Sequence, residues 1–161
     1  MLLVAGMAGG CSNGAPPAAS LPTARASVNL SPRDTWLTAG AARDEYSAAQ
    51  KALELPVGRT WPVLALAAAM PNGEHVKYEL GYGRQNAEFH WYCAWASQLL
   101  QSPVRTANHR SALREVLKVR RTNYFRDGLD ARNRAFLSGI LTQAQEGNLH
   151  DLRRDVQLNC A

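Results

Sequence analysis

Four basic side chains, Arg110, Arg114, Lys118 and Arg121, follow one another at intervals of 4, 4 and 3 residues. On a helix that spacing sets them along one side, opposite the apolar positions Ala112, Leu113, Val116, Leu117 and Val119. A row of this kind suits an anionic partner. Near an anionic membrane each basic residue contributes roughly 1 kcal/mol, and nucleic-acid phosphates are met by the same chemistry. The alternative is a solvated helix face in an arginine-rich chain. A second constellation is the aromatic-dense stretch Glu88-Phe89-His90-Trp91-Tyr92-Cys93-Ala94-Trp95. Trp91 and Trp95 stand one helical turn apart and can wall a groove for a sugar ring or an apolar ligand, although that spacing equally suits a core. Convergence of His90 or His75 with Glu88 or Glu79 would supply the acid–base pair of a small hydrolase.

The remaining chemistry is sparse. His75, His90, His109 and His150 show no metal-ligand spacing, and Glu74, His75 and Glu79 merely lie near a turn. Gly81-Tyr82-Gly83 imitates a dinucleotide loop, but Asn86 stands where the third glycine belongs and no strand–helix alternation follows. No catalytic residue, metal or cofactor is assigned.

The elements that must position these groups read as mostly helical. Ser31-Pro32-Arg33-Asp34 predicts the start of a helix that runs to Pro56, with Leu37, Ala41, Ala48 and Ala52 on its inner face. Residues 55–74 are irregular, with a short alanine-rich helix expected over Val63–Met70 and a turn at Pro71-Asn72-Gly73. Residues 75–82 alternate like a strand, yet nothing evident pairs with them, so an extended arm across the helices is expected. A central helix over 84–101 is apolar around a wide arc, the mark of the most buried helix. Helices over 107–122 and from Asp130 through Glu146 follow, the latter with Phe136, Leu137, Ile140, Leu141 and Ala144 inward. Gly147-Asn148 stops it, and a short last helix carries Leu149, Leu152 and Val156.

At the other end of the chain, Ala8-Gly9-Gly10-Cys11 closes a short apolar run and resembles the lipobox of bacterial lipoproteins. Ala8 stands where that family prefers a larger aliphatic residue, and the first basic residue is Arg25. A secretory leader begins with positive charge, so residues 1–10 are expected to be the end of a longer leader, with Met1 internal to it. The resemblance implies that Cys11 is acylated and that the rest of the chain lies on the extracytoplasmic face of the membrane, in the cell envelope. Residues 11–30, rich in Pro, Ala and Ser, then form a disordered tether reaching roughly 25 Å, and 31–161 form the helical domain. Export also bears on the other cysteines. With Cys11 lipidated, Cys93 and Cys160 make an even pair suited to a disulfide in an oxidising compartment; two buried free thiols are the alternative. The stretch from Pro56 through Trp95 resembles exported proteins of unknown function from GC-rich bacteria, a likeness that carries no activity.

Charge completes the reading. The net charge of +5 in 161 residues is regional, because 105–134 holds nine basic residues against three acidic ones. The expected protein is all-α, a small bundle of about four main helices with an extended arm behind its tether. Its expected role is a lipid-anchored binding module whose partners are lipid headgroups, anionic envelope polymers or another protein. Export disfavours nucleic acid, and a small envelope hydrolase is the second class.

Overall fold

The structure is a computed structural model, and it describes residues 36–160. Cys11, the expected tether and the expected helix start at Ser31–Asp34 lie outside the described residues.

Helix α1 spans Ala39–Ala52. Trp36–Leu37 forms a strand, β1, so the helix begins later than the sequence suggests. Thr38 caps it, its hydroxyl accepting the Ala41 N–H at 3.2 Å. The buried face is Ala39, Ala42, Tyr46 and Ala49, one step away from the expected Ala41, Ala48 and Ala52. Alanines stand on every side of this helix and leave its phase undetermined; Tyr46, the one large side chain on the buried face, decides which way it turns.

After α1 the chain runs as an extended arm, and the helix expected over Val63–Met70 does not form. Pro62 and Pro71 confine that segment to eight residues, too few for helix propagation to offset nucleation. Instead Leu64 and Leu66 turn inward while Val63, Ala65 and Ala67 face out. Side chains hold the arm by its carbonyls: Arg43 Nη2 donates to Leu66 O at 2.7 Å, Tyr46 Oη to Pro62 O at 2.9 Å and Tyr78 Oη to Ala67 O at 2.9 Å. The Pro71-Asn72-Gly73 turn forms as expected, with Gly73 N–H donating to Met70 O at 2.9 Å. The strand-like stretch does find partners. Strand β2, Tyr78–Glu79, pairs antiparallel with β1, and His75 bridges to Ala69.

Helix α2, Tyr82–Gln101, is the expected hub and packs against α1, α3 and α5. Its first turn is clasped to α1. Glu45 accepts the Gly81 and Gly83 N–H groups with its two carboxylate oxygens, at 3.0 and 3.1 Å. Helix α3, Ala107–Leu117, is capped by Thr106 and tightens into a 3-10 turn over Lys118–Arg121. A π turn, Tyr124–Gly128, leads to α4, Ala131–Gln145, capped by Asp130 as expected. Gly147 (φ 89°) and Asn148 end it before α5, His150–Asn159.

The main core is built by Trp91, Tyr92, Leu99, Val116, Val119, Phe125, Ile140, Leu141 and Leu152, among others. Phe136 does not join it: the ring expected inward is 61% exposed. Cys93 and Cys160 are joined, with Cα atoms 5.4 Å apart, which ties the middle of α2 to the end of α5. Apart from the β1–β2 ribbon and the extended arm between α1 and α2, the described chain is mostly helical, as the sequence predicts.

Candidate anionic-surface interface

Arg110, Arg114, Lys118 and Arg121 are all exposed, and the helix that carries them keeps them in one row. The change to 3-10 geometry preserves the row, because side chains three apart eclipse there and Lys118 and Arg121 are three apart. Arg110 is steadied by Arg105, whose carbonyl accepts from its Nη1 at 2.6 Å. Lys118 pairs with Glu115 at 2.6 Å, the one Lys or Arg ion pair among the described residues. Arg114 and Arg121 have no hydrogen-bond or ion-pair partner among the described residues. Arg120, by contrast, leaves the row. It donates to Gln145 at 3.0 Å, Thr142 at 3.1 Å and the Ser138 carbonyl at 3.3 Å, fastening the 3-10 turn to α4. The row is thus a cationic strip with little internal compensation, on a helix whose opposite face is locked into the core by Ala112, Val116 and Val119.

No known family model, curated protein or solved structure matches this chain.

Beside the strip lies a cleft of about 450 Å³, lined by Leu53, Glu54, Trp95, Ser111, Glu115 and Lys118, with Trp91 at its floor. The two tryptophans divide their roles. Trp91 is 3% exposed and belongs to the core, whereas Trp95 is half-buried and faces the cleft. Both indole N–H groups donate to the Glu54 carbonyl, at 3.0 and 2.8 Å, and so clamp the start of the arm onto α2.

The acid–base candidates are dispersed. His90 and Glu88 are two residues apart on α2, a separation that puts side chains on different faces. His90 leans on Trp61, with centroids 5.6 Å apart, and opens into a pocket of about 320 Å³ with Arg59, Thr60, Ser97 and the disulfide. Burial, and then Arg59, push its pKa down, although the Thr60 backbone opposes them. Glu88 opens instead toward Arg84, Asn123 and Leu53. Its carboxylate accepts the Tyr124 N–H at 2.6 Å, so its work is to anchor the π turn on α2. His75, Glu74 and Glu79 are exposed on the arm and ribbon. Among the described residues no three His, Cys, Asp or Glu side chains gather as a metal site. Sequence reasoning missed the Glu45 clasp and the bond from Tyr92 to Asp155 at 2.8 Å, which join residues 36 and more positions apart.

Burial raises the pKa of Glu88 above the ordinary glutamate value, outweighing the bonds and arginines that lower it. A carboxyl raised in the folded state binds its proton more tightly there than in the unfolded chain. Its contribution is therefore complete below the unfolded value and is lost as pH climbs through the folded one. Urea melts of the wild type across mildly acidic pH should show stability falling with rising pH in that window. Glu88→Gln keeps an oxygen for Tyr124 and should remove that slope; an unchanged slope would place it in another group.

Proposed function

We propose that this chain is a lipid-anchored binding protein of the cell envelope, held by Cys11 and contacting anionic headgroups or envelope polymers through Arg110, Arg114, Lys118 and Arg121. The observation that carries this reading is the exposed cationic row on α3 and its 3-10 turn, of which only Lys118 has an acidic partner among the described residues. The lipobox-like Ala8-Gly9-Gly10-Cys11 and the Cys93–Cys160 bridge support an oxidising, extracytoplasmic address. The two contacts complement each other physically. The lipid anchor would hold the chain irrespective of salt, and the basic row would add a second, salt-sensitive contact that orients the domain on the surface. The 19 residues between Cys11 and Ser31 give enough chain for α3 to reach back to the surface.

Vesicle sedimentation tests the reading. The full chain carrying Cys11→Ser should bind phosphatidylglycerol-containing vesicles at low salt and release them as salt rises, because exposed charges are screened within about 10 Å at 0.1 M. Replacing Arg114 and Arg121 by Glu should weaken partition about thirtyfold or more, the loss of two basic residues at roughly 1 kcal/mol each. Binding that is equal to neutral vesicles, or indifferent to these substitutions, would contradict the proposed surface.

A further inference from the structure

A further cavity lies away from the basic row, where α2, the π turn, α4 and α5 meet. It is a half-open pocket of about 360 Å³, lined by Phe89, Tyr124, Leu129, Asn133, Phe136 and Asp155. That volume is within the range of small-molecule sites, roughly 300–1,000 Å³. Three aromatic rings face it from three elements; Phe89 and Tyr124 lie tilted against each other, with centroids 5.1 Å apart. Phe136 is 61% exposed although its helix offers a core face, so the ring stands at the rim.

One anion sits among these rings. Asp155 is half-buried, and both its oxygens are oriented: Tyr92 Oη donates to one and Asn159 Nδ2 to the other, each at 2.8 Å. No Lys or Arg nitrogen lies within ion-pair distance of it among the described residues. Burial, and after it the Asp155 charge, push the Tyr124 hydroxyl up to about 12, so that phenol stays neutral. A carboxylate without a cation, framed by aromatic faces, attracts a positive charge with an apolar coat. Aromatic rings hold such a cation through their quadrupoles, and the carboxylate supplies the opposite charge.

We propose that the Phe89–Tyr124–Phe136–Asp155 cavity binds an organic ammonium ion, its alkyl groups against the three rings and its charge facing Asp155. A free amine and a lipid headgroup offer the same chemistry, and the two are separable by probe.

The test is an NMR titration of the full chain carrying Cys11→Ser. Choline should shift the amides of Tyr124, Asn133 and Asn159. Its uncharged carbon analogue, with the quaternary nitrogen replaced by carbon, should bind about tenfold more weakly. A short-chain phosphatidylcholine binding more tightly than choline would assign the site to headgroups, and the reverse order to free amines. Asp155→Asn retains an acceptor for Tyr92 and should weaken choline about tenfold. Phe136→Ala removes an exposed ring and should weaken it about threefold without unfolding the domain. Equal binding of choline and its analogue, equal binding to wild type and both variants, or no shift in those amides would overturn the proposal.

Discussion

Reduction of the Cys93–Cys160 disulfide is expected to destabilise the domain by about 4 kcal/mol, the chain-entropy value for a loop of this length. The bridge spans 67 residues, taking in the second half of α2 and all of α3, α4 and α5. It also closes the fold mechanically. Helix α5 is short and buries only Leu152 completely, so the covalent tie reinforces the Tyr92–Asp155 bond in keeping its end against α2. Urea unfolding of wild type with and without reductant measures the difference, and a Cys93→Ser/Cys160→Ser variant should match the reduced protein. A thiol reagent applied to the unfolded, unreduced and unacylated chain should label Cys11 and neither of the other two. Labelling of all three, or an unchanged midpoint after reduction, would contradict the bridge.

Gly83→Ala should be nearly as damaging. At Gly83 the backbones of α1 and α2 meet so closely that an added Cβ would sit 1.9 Å from Ala42 O and 2.9 Å from both Ala42 C and Tyr46 N. Those obstacles are main chain and cannot rotate away. Relief requires α1 to shift, which stretches the Glu45 bonds to Gly81 and Gly83 and moves Tyr46 off the arm. Overpacking of this kind costs about 3 kcal/mol or more. Gly139→Ala is the matched control. Nothing lies within 4 Å of its new Cβ, so the change should stabilise α4 by roughly 0.5–1 kcal/mol. Thermal melts of the two variants should therefore move in opposite directions; parallel shifts would contradict the α1–α2 contact.

How far the sequence carries toward this structure depends on which signals are local. Helix α4 is legible because Asp130 caps it and Gly147 ends it, both within reach of the helix itself. The basic row is legible because Ala112, Val116 and Val119 fix the phase of α3, leaving the opposite side to Arg110, Arg114, Lys118 and Arg121. Helix α1 offers no such contrast, and its phase is misread until Tyr46 is seen against Trp61. The arm is misread for a different reason: its conformation is set by Arg43, Tyr46 and Tyr78 binding its carbonyls, which alanine content cannot announce. Phe136 fits a helical core stripe by spacing, yet the space across from it is the Asp155 cavity, assembled from residues 89 to 159. Sequence periodicity describes one element at a time, and a cavity shared by four elements leaves no periodic trace.

The most direct measurement is fractionation of the native host grown with a palmitate analogue, comparing wild type, Cys11→Ser, and Cys11→Ser combined with Arg114→Glu and Arg121→Glu. Wild type should be labelled and remain with membranes through a high-salt wash. Cys11→Ser should be unlabelled and stay with membranes only at low salt, and the combined variant should be released at any salt. An unlabelled wild type found in the cytosol would contradict both the anchor and the surface assigned to α3.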